Sequence, residues 1–196
     1  HRIGVDERDR YGYLATFVRT VAQAGCQRFS VHARKAWLQG LSPKENRTVP
    51  PLRYDDVYRL KREFPDWVIE INGGITDFEQ AHAHLQQVDA VMIGRAAYEN
   101  PYLFATADRD FFGVAAGEET RPPTRHDVVA ALLPYIDTWV QRGTRLPSLT
   151  RHLLSLFNGQ PGTKAWKRYL SEHAHHPGAG VEVVAAALAQ VPALEG

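Results

Sequence analysis

One pattern recurs three times in the first half of the chain and limits what it can fold into. A short apolar, β-branched run meets a polar or glycine-bearing stop, and a stretch with helical spacing lies between one run and the next. Phe29-Ser30-Val31-His32 reads as a short buried strand that stops at Ala33-Arg34-Lys35. Residues 67–71 read as a second strand closed by Asn72-Gly73-Gly74, and Ala90-Val91-Met92-Ile93 as a third closed by Gly94-Arg95. Before the first strand, Leu14, Phe17, Val18 and Val21 follow the three-and-four spacing of an amphipathic helix over 11–24, which Gly25 stops. Residues 54–64 and 76–87 carry the intervening helices. Thr76 or Asp77 can cap the latter, with Glu79 placed as a capping-box partner for Thr76. Strands separated by helices in units of roughly 30 residues or fewer pair in parallel through crossover connections. The class is α/β.

The pattern then changes. Residues 114–125 are rich in Gly, Glu, Thr and Pro, and no strand signal follows them. Helices fit 127–141, 149–157, 163–173 and 181–190, separated by Gly143, Gly159-Gln160-Pro161-Gly162 and Pro177-Gly178-Ala179-Gly180. A second, all-helical domain is expected.

Composition excludes some classes. No apolar run approaches the roughly 20 residues of a membrane span. The single cysteine, Cys26, has no partner for an internal disulfide, which fits a reducing cytoplasm. The sole methionine is Met92 and the first residue is His1, so a fragment of a longer protein is expected. Net charge is only +1, yet Arg142, Arg145, Arg151, Lys164, Lys167 and Arg168 follow one another with no Asp or Glu between them. A near-neutral total conceals a local positive excess that could meet phosphates.

In parallel (β/α) arrays ligands lie at the carboxyl ends of the strands, and in eight-stranded barrels a phosphate often sits on the turns after the last two. Asn72-Gly73-Gly74 and Gly94-Arg95 occupy consecutive turns of that kind. Each opens a helix whose free N–H groups attract an anion, and Arg95 can add a bidentate charge. His32 ends its strand on the same rim, followed by Arg34 and Lys35. The long polar connection over 34–52 suggests a functional loop, in which Lys44 and Arg47 extend the positive rim and Trp37 could stack or pack inward. Lys164, Lys167 and Arg168 share a helix face. Cys26 precedes its strand and so belongs to the opposite edge, as packing. His173, His175 and His176 lack companions at metal-ligand spacing, so no metal is expected.

With these residues in place, the chain resembles the A-type tRNA-dihydrouridine synthases over nearly its whole length. The resemblance is carried by His32-Ala33-Arg34-Lys35-Ala36-Trp37-Leu38, by Gly40-Leu41-Ser42-Pro43-Lys44-Glu45-Asn46-Arg47, by Ile71-Asn72-Gly73-Gly74-Ile75 and by Thr150-Arg151-His152. It implies that residues 1–112 are the C-terminal part of an FMN-binding TIM barrel, 113–126 a linker, and 127–196 a helical tRNA-binding domain. It gives His32 a flavin contact, and Asn72, Gly73, Gly74, Gly94 and Arg95 the flavin's phosphate end. Lys44, Arg47, Lys164, Lys167 and Arg168 become tRNA contacts. The implied reaction reduces the C5=C6 bond of D-loop uridines 20 and 20a, with NADPH as reductant, hydride delivery to C6 and a cysteine acid at C5. That cysteine and a flavin-binding lysine would precede His1, so the fragment alone is expected to be inactive, and a half-barrel with open apolar edges to be unstable or to need a partner. Two other readings stay open: a different FMN- or phosphate-binding barrel oxidoreductase, and a non-catalytic tRNA-binding remnant.

Overall fold

The computed structural model describes residues 1–113 and 121–193, so residues 114–120 of the expected linker lie outside the described residues. The chain divides into two compact units, His1–Ala96 and Ala97–Gly196.

The first unit is a three-stranded parallel sheet, β1 (Arg28–His32), β2 (Val68–Asn72) and β3 (Ala90–Met92), in the order β1-β2-β3. Helix α1 (Tyr11–Ala22) precedes it, while α2 (Tyr54–Glu63) and α3 (Phe78–Leu85) connect its strands. The alternation legible in the sequence becomes the packing. Phe29 and Val31 of β1 and Ile69 and Ile71 of β2 are buried while their neighbours are not, and Val57 and Leu60 of α2 are likewise buried. Each such side chain contributes about 1.5–3 kcal/mol of burial. Of the two expected caps the structure uses the second, and the reciprocal partner differs from the expected Glu79. Asp77, not Thr76, is the N-cap, accepting from the Gln80 backbone N–H at 2.8 Å, and the Gln80 side chain reaches back to both Thr76 and Asp77. Gln80 takes the place given to Glu79 because the cap starts one residue later.

The second unit is helical among the described residues. After the α4 helix (Arg95–Glu99) and a 3-10 turn (Pro101–Thr106) come α5 (Ala107–Phe112), α6 (Arg125–Gln141), α7 (Leu146–Thr150), α8 (Thr163–His173) and α9 (Val181–Leu188). A capping box between Thr124 and Asp127 starts α6. Val129, Ile136, Phe157, Trp166, Leu170 and Val184 lead the core. The helix expected over 149–157 is not there. Pro147 starts α7 early, and the chain then runs through turns with i to i−3 bonds, Leu153 N–H to Thr150 O and Leu156 N–H to Leu153 O. Side chains capture carbonyls in that stretch: Trp166 Nε1 donates to Leu153 O at 3.1 Å and Arg125 Nε to Leu156 O at 2.8 Å. A regular helix would have spent those acceptors internally.

Trp166 is fully buried and supplies one of these bonds. Trp166→Ala is therefore expected to destabilise this unit by about 3–5 kcal/mol. Urea unfolding followed by far-ultraviolet circular dichroism measures it, and a loss below about 1 kcal/mol contradicts the packing.

Candidate functional site

Parallel pairing sets His32 beside Asn72, and Asn72 beside Met92, as cross-strand partners. The three strand ends form one row at the carboxyl edge of the sheet. Two bonds fix it: Ala33 N–H donates to Asn72 O at 2.8 Å, and Asn72 Nδ2 donates to Met92 O at 2.8 Å. The turns that leave the row carry the residues whose chemistry suggests a ligand.

Gly73 and Gly74 stand at φ +119 and +75, a region open chiefly to glycine. Space is as restrictive as backbone angle. A Cβ on Gly73 would lie 3.3 Å from His32 Cε1, and one on Gly74 would lie 2.7 Å from Leu52 Cδ1 and 3.1 Å from the Tyr54 hydroxyl. That hydroxyl donates to Gly73 O at 2.6 Å, pinning the turn from α2. Gly94 is different. Its backbone is not left-handed, and a Cβ there would meet only Asn72 Nδ2 at 3.9 Å.

Charge at the row is one-sided. Burial holds the His32 imidazole down at about 4, and the charges of Arg2, Arg34 and Arg95 push the same way. Burial also lowers Arg2, assisted by the charges of Arg47 and Arg34. Arg34 is lowered by burial and by Arg95, against an opposing contribution from Tyr54. None of these four arginines is in a salt bridge among the described residues. Three of them donate to neutral carbonyls instead: Arg2 to Lys35 O and Asn46 O, Arg34 to Pro50 O, and Arg95 to Arg47 O at 3.4 Å. His32 Nδ1 and Arg34 Nε are buried without any hydrogen-bond partner. Such orphaned polar atoms and unneutralised charge are costly, and an anion would offset the charge and take the Arg34 Nε donor. The histidine also sets a pH dependence. Because its folded pKa lies below its unfolded value of 6.5, its contribution to stability is present above pH 6.5 and is lost as pH falls toward 4.

His32, Asn72, Gly73, Gly74 and Arg95 are thus brought to one rim, with Gly94 beside Asn72. Arg47 joins them through its carbonyl, from a 3-10 turn over Glu45–Arg47 for which Lys44 is the N-cap, and both side chains are exposed. In the second unit, α8 buries Trp166 and Leu170 and exposes Lys164 and Arg168, while half-buried Lys167 donates to Asn158 Oδ1 at 2.6 Å. Sequence reasoning missed Arg2, Leu52 and Tyr54. For Arg2 the lone apolar Ile3 gives no strand signal, although residue 2 forms a parallel bridge with His32. Trp37 is half-buried, with its backbone bonded to Asn46. Cys26 lies in the turn ahead of β1, its Sγ 3.3 Å from Arg28 O, at the far end of the strand from the row.

The sequence model for dihydrouridine synthase (Dus) matches residues 1–191. A tRNA-dihydrouridine(20/20a) synthase of Synechocystis sp. is 60% identical over 188 residues, covering 96% of this chain and 55% of that protein. The protein of the same name from Shewanella oneidensis is 56% identical over 183 residues, 93% of this chain and 53% of that one. The one from Vibrio cholerae is 51% identical over 192 residues, 97% and 58% respectively. The chain spans about half the length of the curated relatives it matches, and it belongs to the dihydrouridine synthase family.

Proposed function

We propose that this chain is the C-terminal part of an FMN-dependent tRNA-dihydrouridine synthase, which reduces the C5=C6 bond of D-loop uridines 20 and 20a with NADPH. In this reading the three strands close a TIM barrel, and the helical unit, taken as 127–196 after a linker at 113–126, grips tRNA. The observation that carries it is the row His32, Asn72, Met92, with its crowded glycine turn, its unneutralised arginines and its two orphaned buried nitrogens.

The residues present fit a flavin phosphate. The Asn72-Gly73-Gly74 turn lets backbone N–H groups come close to an anion, and Gly94 and Arg95 complete the cradle from the next strand. His32 stays neutral at physiological pH, so its ring can offer one donor and one acceptor to the cofactor. Bound FMN supplies the hydride chemistry that no side chain possesses. The chain's own residues bind and orient. Lys44 and Arg47, on the loop tied to Arg95 and Arg2, meet tRNA phosphates beside the flavin, and Lys164, Lys167 and Arg168 do so from the helical unit. The target base must leave its stack to reach the flavin. No cysteine stands at the strand-end row, Cys26 being at the opposite end of β1, so the proton donor at C5 is not assigned within this chain.

The test uses the full-length protein. It should purify with flavin absorbance and form dihydrouridine from NADPH and unmodified tRNA. Its affinity for tRNA should fall steeply with salt, and Lys44→Ala and Arg47→Ala should each reduce the log–log slope by about one. Flavin with no tRNA binding would favour a small-molecule oxidoreductase instead, and tRNA binding without flavin a non-catalytic binder. A second expectation separates the glycines. Gly74→Ala should destabilise the turn by about 1–3 kcal/mol and lose flavin, whereas Gly94→Ala should lose flavin while melting like the flavin-free wild type. Equal melting of both variants contradicts the geometry.

A further inference from the structure

The 34–52 connection is held by bonds between its two arms and by bonds from the 2–6 segment outside the loop. On the outgoing arm Ala36 N–H donates to Gly4 O at 2.9 Å, and Asp6 N–H donates to Ala36 O at 2.8 Å. At its base Arg53 N–H donates to Ala33 O at 2.8 Å. Asn46, on the return arm, accepts from Trp37 N–H at 2.8 Å and donates to Trp37 O at 2.6 Å. Half-buried Arg2 completes the clamp: Nη1 donates to Lys35 O at 3.0 Å and to Asn46 O at 2.7 Å.

A single nitrogen thus holds residue 35 on the way out and residue 46 on the way back. Between those points lies Lys44, and directly after them Arg47, whose carbonyl takes the bond from Arg95. Arg2 sits among like charges, near Arg34 and Arg47, where a neutral residue would cost less. The guanidinium is favoured there because it satisfies two loop carbonyls at once.

We propose that Arg2 is a positioning residue for RNA recognition, closing the 35–46 loop so that Lys44 and Arg47 are presented together to tRNA phosphates. This rests on the tRNA reading above. It places the determinant of loop shape on the strand-end segment beside His32, not in the loop.

The experiment compares wild type, Arg2→Met and Arg2→Lys in the full-length, flavin-loaded protein. Arg2→Met should raise the KM and Kd for tRNA about tenfold and lower the salt slope by up to about two, as two phosphate contacts are lost. Because Arg2 also adds charge beside the strand-end row, the comparison is made at saturating FMN, where the loss of tRNA affinity should persist and kcat should fall by less than kcat/KM. Hydrogen exchange without tRNA should speed up over residues 37–47 and not over β1–β3. Arg2→Lys should restore most of both, because an ammonium also donates to carbonyls. Should Arg2→Met not fold, Arg2→Gln, whose shorter side chain cannot span both carbonyls, takes its place and should show the same pattern. Unchanged exchange and unchanged tRNA affinity would overturn the proposal. So would parallel losses of flavin, stability and tRNA affinity in both the methionine and lysine variants, which would make Arg2 a general fold residue. A wild-type protein that never binds tRNA would sink the functional reading and the tRNA role with it, even if the exchange pattern appeared as expected.

Discussion

Positive charge without a counter-charge at the carboxyl edge of a small parallel sheet is the constraint around which the first unit is arranged. Arg2, Arg34, Arg47 and Arg95 come close enough to act on one another or on His32, and the guanidinium groups of Arg2, Arg34 and Arg95 donate to carbonyl oxygens, not carboxylates. Carbonyls satisfy hydrogen-bonding capacity but do not neutralise charge. The fold therefore holds a field that favours an anion, and it spends the same donors on fixing the loop that surrounds the field.

That arrangement follows from register. His32, Asn72 and Met92 are level because β1 pairs with β2 and β2 with β3 in parallel, and a one-residue slip would turn His32 toward the buried face occupied by Val31. Buried Ile69 and Ile71 hold β2 against slipping, and Tyr54 and Leu52 press the glycine turn toward His32. Hydrophobic patterning thus reaches the chemistry directly: the alternation that fills the core also aims the histidine.

The strands were legible to within about a residue because alternation and β-branching act locally. His32, Asn72 and Arg95 could be placed on one rim because strand ends are readable from the residues that stop them. Other features depend on partners far away in sequence. The turns over residues 151–160 replace a helix because Trp166 and Arg125 take carbonyls that helical periodicity assigns to the backbone. Nothing in the sequence around Arg2 marks it out. Its role appears only when the sheet brings residue 2 beside His32 and the loop folds Asn46 back onto it. Gln80 in place of Glu79 shows the same limit at smaller scale, since the choice between Thr76 and Asp77 as cap shifts the reciprocal partner by one residue.

The central claim, that the strand-end row is an anion site in which burial and the surrounding arginine charges suppress the charge on His32, is tested most directly by nuclear magnetic resonance titration of the His32 imidazole. In the flavin-free protein it should titrate at about 4, and on addition of FMN its pKa should rise, because a phosphate offsets the arginine charges and favours the imidazolium. An imidazole that titrates near 6.5 and does not respond to FMN would contradict the account.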